Sequence, residues 1–130
     1  MTKAEIKKYL PKHRLDNFYM EELNNLDDAS IKKVLNELLV WVKNMNVAVS
    51  VDIAALLSKR PKVVLKTFKE HLEDPKIEAV YKYNIIAHII QNFEEAEIKM
   101  YQKELERLAN KPTKQEKYAE IDILAKKLLA

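Results

Sequence analysis

Glycine is absent from the 130 residues of this chain. At an average usage of roughly 7%, about nine glycines would be expected. Phosphate-binding loops, dinucleotide-binding turns and the G-x-S-x-G turn of serine hydrolases all need glycine where the backbone takes a positive φ or approaches a ligand closely. The sequence therefore excludes these classes of site, and we expect a backbone that avoids left-handed conformations.

Cysteine is absent as well, which excludes disulfides, a thiolate nucleophile and zinc–cysteine sites. The histidines are His13, His71 and His88, and none follows a glutamate by three or four residues or lies one helical turn from another histidine. Zincins and di-iron bundles need those spacings. We therefore expect no metal, no cofactor and no enzymatic activity. The alternative is an enzyme in which His13 and Asp16 form an acid–base pair.

The charges of the chain are nearly balanced, with 23 lysines and arginines against 20 aspartates and glutamates. A net charge of +3 is too small to indicate a nucleic-acid or membrane partner by bulk charge alone. No apolar run is long enough to span a bilayer, and the first residues lack the apolar core of a signal peptide. The sequence predicts one globular cytoplasmic domain that does not bind membranes.

Apolar residues recur at helical spacing along most of the chain, and the four prolines lie between these periodic segments. Residues 47–57 are ambiguous, because β-branched residues alternate at their start as in a strand. Their length and their unbroken apolar continuation favour a helix. The predicted helices span residues 2–10, 16–25, 28–44, 47–57, 61–73 and 77–91, and two further helices begin near residues 94 and 112.

The predicted helices repeat at a spacing of 33 residues, with starts near 28, 61 and 94. This spacing aligns three large apolar residues, Leu35, Phe68 and Tyr101, and three leucines, Leu39, Leu72 and Leu105. Helix pairs at this period are typical of stacked α-solenoids. We predict an all-α, HEAT/ARM-like α-solenoid of three helix pairs (residues 27–59, 60–92 and 93–130) behind a short N-terminal helical cap (residues 1–26). The alternative is a compact bundle without repeats.

Two aromatic residues are candidates for a binding surface. We expect Trp41 and Tyr83 to reach a groove lined by the second helix of each pair, with Lys82 beside them. Aromatic side chains with a polar tip are frequent anchors of protein interfaces. In the alternative, Trp41 packs between two helix pairs.

A basic stretch, residues 59–69, supports a different function. Lys62, Lys66 and Lys69 share one helical face and are preceded by Lys59 and Arg60. Such a face can follow the phosphates of a nucleic acid. Acidic residues in the same region also fit a charge-balanced, solvated surface.

Four groups of residues occur in an order that resembles a bacterial family of uncharacterised HEAT-like helical proteins, catalogued as a domain of unknown function. They are Leu10-Pro11-Lys12-His13 with Asp16, Leu38-Leu39-x-Trp41 with Asn44-Met45-Asn46, Lys82-Tyr83 with Ile85-Ile86, and Leu108-Ala109-x-x-Pro112-Thr113 with Glu116. The resemblance implies a HEAT-like helical fold and no particular activity. The candidate binding residues taken from these matches are Lys12, His13, Asp16, Trp41, Asn44, Asn46, Lys82 and Tyr83.

The sequence thus predicts a small non-enzymatic binding or adaptor module. Its partner is expected to be a protein or peptide, held by the groove of the second helices or by the N-terminal cap. The alternative function is a nucleic-acid-binding helical-repeat protein that uses residues 59–69.

Overall fold

A computed structural model describes all 130 residues, and it contains helices and no strands. The helices are α1 (Lys3–Lys7), α2 (Met20–Asn25), α3 (Asp28–Lys33), α4 (Leu35–Val42), α5 (Ala48–Ser58), α6 (Pro61–Glu73), α7 (Ala79–His88), α8 (Glu95–Ile98), α9 (Gln102–Asn110), α10 (Lys114–Tyr118) and α11 (Ile121–Leu129). Short 3-10 turns follow α7 and α8 at Ile90–Asn92 and Lys99–Tyr101. The predicted all-α class is confirmed, and the ambiguous segment is helical from Ala48 onward, with Val47 as the extended residue that precedes α5. No helix is both long enough and apolar enough to cross a bilayer.

Several helices begin at short polar or proline motifs. The Asp27 carboxylate accepts a hydrogen bond of 2.8 Å from the backbone N–H of Ser30, which caps α3. Pro61 is the first residue of α6, where its missing N–H costs nothing. Thr113 and Glu116 form a reciprocal capping box at the start of α10. Short polar motifs thus determine where these helices begin.

Several predicted helices are interrupted or shorter than expected. The helix predicted at residues 28–44 is broken at Val34, whose φ of −116° and ψ of 15° separate α3 from α4. The last helix is broken at Glu120, which has a φ of 62° and a ψ of 25°. The expectation of a backbone without left-handed residues was therefore wrong at this position. A residue other than glycine can take this conformation at a cost of roughly 1–2 kcal/mol, and here it turns the chain between α10 and α11. The N-terminal helices are shorter than predicted, at Lys3–Lys7 and Met20–Asn25.

The hydrophobic core is one cluster of 30 buried residues that extends along the chain from Ile6 to Ala125. Residues that the 33-residue spacing aligns are buried together: Leu35 with Phe68 and Tyr101, Leu39 with Leu72 and Leu105, and Ile53 with Ile86. Burial of apolar surface is the main force that stabilises such a fold. The residues at equivalent positions of the predicted helix pairs are therefore all buried in the core.

Contacts between helices follow a regular order. Within the predicted pairs, α4 contacts α5, α6 contacts α7, and α9 contacts α11. Between pairs, α6 contacts both α3 and α9, and α7 contacts both α5 and α11. The N-terminal helix α1 packs against α3. As a result, α6 and α7 lie at the centre of the molecule and carry the residues that organise the candidate site.

Candidate functional site

A buried ion cluster joins α7 to α9 and α10. Lys82 Nζ on α7 lies 2.7 Å from Glu116 Oε2 on α10, and only 1% and 2% of these two side chains are exposed. Arg107 on α9 binds the same carboxylate with both terminal nitrogens, from Nη1 to Oε1 at 2.7 Å and from Nη2 to Oε2 at 3.0 Å. We call Lys82, Arg107 and Glu116 the ion cluster.

Further hydrogen bonds complete the ion cluster. The backbone N–H of Thr113 donates to Glu116 Oε1 at 2.9 Å, and Arg107 Nη2 also donates to the carbonyl oxygen of Leu72 on α6 at 2.7 Å. A buried charge is costly unless it is both paired and hydrogen-bonded. Glu116 meets both conditions. Its carboxylate links α7, α9 and α10, and Arg107 extends the cluster to α6.

The environment of Glu116 keeps its carboxyl group ionised. Burial alone would raise its pKa, but hydrogen bonds from Arg107 and Lys82 outweigh this effect and lower the pKa to about 2. The pairing with Glu116 in turn raises the pKa of Arg107. Glu116 and Arg107 are consequently both charged at neutral pH.

Lys82, which the sequence predicts to contribute to a binding surface, lies in the interior of the structure. Its side chain is enclosed and its ammonium group faces Glu116, so it cannot contact a partner or a phosphate. Lys82, Thr113 and Glu116 all belong to the residues that carry the family resemblance. Sequence reasoning missed their contact because 34 residues separate Lys82 from Glu116, and it did not single out Arg107.

The N-terminal candidates Lys12, His13 and Asp16 lie together in the loop between α1 and α2. The Asp16 carboxylate accepts hydrogen bonds from the backbone N–H groups of Lys12 at 3.0 Å and Phe18 at 3.3 Å. These bonds lower the pKa of Asp16. His13 Nδ1 accepts from the backbone N–H of Leu15 at 3.3 Å. Both side chains therefore shape their own loop, as turn-forming residues do.

Trp41 lies in the last turn of α4, and Asn44 and Asn46 lie in the turn between α4 and α5. Asn44 Oδ1 accepts a hydrogen bond of 2.9 Å from the backbone N–H of Asn46. Trp41 is partly buried against the core, as is Tyr83 on α7. A shallow groove of about 180 Å³ lies between this turn and the N-terminal loop, because Arg14 and Leu15 face residues 46–48. The candidates of the N-terminal loop and those of the turn after α4 are thus neighbours in the fold.

A deeper cleft lies between α4, the end of α6 and the start of α7. Its volume is about 320 Å³, and its lining residues are Asn36, Leu39, Val40, Lys43, His71, Lys76, Ile77, Glu78 and Tyr81. His71 Nδ1 lies 2.8 Å from the Tyr81 hydroxyl oxygen. Burial lowers the pKa of His71, so its ring is neutral at pH 7. The sequence carries no spacing that marks this cleft.

An open groove adjoins the cleft between the start of α7 and α10. It has a volume of about 620 Å³ and is lined by Glu78, Ala79, Val80, Lys114, Gln115 and Tyr118. Val80 is 59% exposed and Tyr118 is 91% exposed, although both are apolar or aromatic. Glu78 lines both cavities, so they adjoin at this residue, and we call the two together the junction surface.

The ion cluster joins the same two helices that form this groove. Val80 and Lys82 are two residues apart on α7, and Glu116 and Tyr118 are two residues apart on α10, so in each pair one side chain is exposed and the other is buried on a different side of the helix. The salt bridge between Lys82 and Glu116 therefore holds together the two helices that form the groove. A binding surface is more effective when a rigid network positions its walls in advance.

Comparison with known families assigns the chain to one of them. The sequence model of the family described as "Domain of unknown function (DUF5071)" matches residues 9–129. The chain belongs to the DUF5071 family. No curated protein matches it. The matched DUF5071 region contains the ion cluster, the junction surface and every candidate binding residue predicted from the sequence.

The basic stretch of this DUF5071 chain is partly neutralised. Arg60 Nη1 pairs with Asp28 at 3.0 Å, and Lys69 Nζ pairs with Glu104 at 2.9 Å. Lys59, Lys62 and Lys66 are exposed. The cations left for a phosphate backbone are therefore fewer than the sequence suggests.

Proposed function

We propose that this protein is a small, non-catalytic helical-repeat module that binds a protein or peptide partner through the junction surface. The contacts of α6 with α3 and α9, and of α7 with α5 and α11, support a HEAT-like stack of three pairs. In such a stack, residues from all three pairs contribute to one surface. Here α4, α7 and α10 supply them.

The observation that carries this proposal is the exposed apolar surface beside a positively charged cleft. Val80 and Tyr118 present apolar area to solvent in the groove, and grouped exposure of this kind is a mark of interaction sites. Lys114 lines the same groove, and Lys43 and Lys76 line the adjoining cleft, whereas Glu78 is the one carboxylate among the residues that line the two cavities. The fitting partner is an extended segment with an apolar or aromatic anchor and one or more acidic side chains.

Selection from a phage-displayed library of random 12-residue peptides tests this proposal. We expect enriched peptides to combine an aromatic or aliphatic residue with aspartate or glutamate. The double variant Val80→Ser/Tyr118→Ser should bind them at least about tenfold more weakly, because it loses two apolar contacts worth on the order of 1 kcal/mol each. Fluorescence anisotropy with labelled peptide measures the affinities.

The matched control is Val51→Ser. Val51 is 54% exposed on α5, close to the exposure of Val80, but it lies outside the junction surface. Its replacement should leave the affinity unchanged. Selection without enrichment, or enriched peptides that bind the double variant as well as the original protein, would contradict the proposed function.

Nucleic-acid binding through residues 59–69 is the second candidate. It is supported by the exposed ammonium groups of Lys59, Lys62 and Lys66. The ion pairs of Arg60 and Lys69 weaken it, because a cation already paired gains less from a phosphate. We therefore favour the peptide partner.

A further inference from the structure

A histidine–tyrosine pair lies in the wall of the cleft. Tyr81 is 3% exposed, and its hydroxyl group has His71 Nδ1 as its hydrogen-bond partner, at 2.8 Å. A buried hydroxyl group needs an acceptor for its proton. Tyr81 therefore donates to Nδ1, and the neutral ring of His71 carries its own proton on Nε2. His71 is thus a hydrogen-bond donor at its free nitrogen.

The other polar groups of the cleft are mainly donors as well. Lys43 and Lys76 contribute ammonium groups, and Asn36 contributes an amide that can donate. The acceptor among the charged lining groups is Glu78. A cleft of about 320 Å³ is within the size range of sites for small ligands. Its chemistry favours a ligand that is anionic and rich in acceptors.

We propose that the cleft lined by His71, Lys43 and Lys76 is a binding site for a carboxylate. The two ammonium groups and the His71 N–H donate to the carboxylate oxygens, while Val40 and Ile77 contact the carbon chain that bears them. The carboxylate belongs either to a small free organic acid or to an acidic side chain of a peptide. The second case rests on the function proposed above, whereas the first stands without it.

The charges around His71 predict how binding depends on pH. Burial lowers the pKa of His71, Lys43 lowers it further, and Glu70 and Asp74 oppose this. Lys76, Glu78 and Tyr81 also line the cleft. A bound carboxylate adds a negative charge and favours the imidazolium form. Binding should therefore raise the pKa of His71 and become tighter as the pH falls through that value.

NMR of the His71 ring is the direct test, with glutarate as the probe and glutaramide as its uncharged analogue. At constant ionic strength we expect glutarate to shift the ring signals in a saturable manner and to raise the pKa of His71. The variant Lys43→Gln/Lys76→Gln should bind glutarate at least about tenfold more weakly. The variant Lys62→Gln/Lys66→Gln removes two exposed lysines outside the cleft and should bind glutarate with unchanged affinity.

A blocked Asp-Leu-Glu tripeptide distinguishes the two sources of the carboxylate. Saturation by the tripeptide at concentrations about tenfold below those of glutarate supports a peptide ligand, and the reverse order supports a free acid. No saturable shift with either probe, an equal response to glutaramide, or an equal loss in the Lys62/Lys66 variant would overturn the proposal. Such a failure leaves peptide selection through Val80 and Tyr118 unaffected, so the two proposals fail separately.

Discussion

Replacement of Glu116 by glutamine should lower the free energy of unfolding by about 3 kcal/mol or more at pH 7. Glutamine keeps the volume of the side chain and its hydrogen bond to the Thr113 N–H, but it removes the charge. Lys82 is then buried without a counter-ion, since only 1% of its side chain reaches solvent. Urea denaturation followed by circular dichroism measures the change.

A double-mutant cycle separates the ion pair from the rest of this effect. Lys82→Met alone should cost less than Glu116→Gln, because Arg107 still neutralises the carboxylate. The double variant Lys82→Met/Glu116→Gln should be more stable than Glu116→Gln alone, because it contains no unpaired buried ammonium group. A double variant as unstable as the sum of the two single changes would contradict the ion cluster.

Glu97 provides a matched control for the capping role of Glu116. Its carboxylate accepts from the backbone N–H of Glu94 at 3.1 Å in the capping box of α8, without a buried cation beside it. Glu97→Gln should therefore change the free energy of unfolding by less than about 1 kcal/mol. An equal loss at Glu97 and Glu116 would mean that capping, and not charge pairing, explains the effect.

Lowering the pH should remove the stabilisation by Glu116 from the wild-type protein. The pKa of Glu116 falls from an ordinary value of 4.5 to about 2 in the folded state. A carboxyl group whose folded pKa is depressed stabilises the protein above its unfolded pKa, and this stability is lost as the pH falls through the folded value. We expect Glu116 to contribute about 3 kcal/mol above pH 5, and to lose most of it between pH 4.5 and pH 2.

The comparison with Glu116→Gln isolates this contribution from those of other carboxylates. The pKa values of Asp16, Asp27 and Glu37 are also lowered in the folded state, so acid weakens both proteins. Denaturation at a series of pH values should show a gap between the two proteins that is widest above pH 5 and closes towards pH 2. A gap that stays constant over this range would show that the charge of Glu116 does not stabilise the fold.

The all-α class and most helix starts could be predicted from local sequence patterns. Asp27 and Thr113 cap their helices through residues three positions away, and Pro61 acts through its own backbone. Each signal therefore lies within a few residues of the sequence. The aligned burial of Leu35, Phe68 and Tyr101 also follows from apolar periodicity. Such signals are short-range or repetitive, which is why sequence reasoning recovers them.

The candidate site could be predicted much less well, because it depends on long-range contacts. Lys82 looks like a surface lysine until Glu116 is known to face it from another helix. His71 belongs to no motif, and it meets Tyr81 only because the chain turns between α6 and α7. The left-handed backbone conformation of Glu120 was also not predicted. The absence of glycine makes such a conformation less favourable, but it does not forbid it at a single residue.

Mapping the contact surface by NMR tests the central claim, that the junction surface is the binding site, most directly. The amide signals of isotopically labelled protein are followed as a peptide from the phage selection is added. We expect the largest shifts in residues 36–43, 76–81 and 114–118. Shifts concentrated instead in the N-terminal loop at residues 12–18, or in the basic stretch at residues 59–69, would contradict this account.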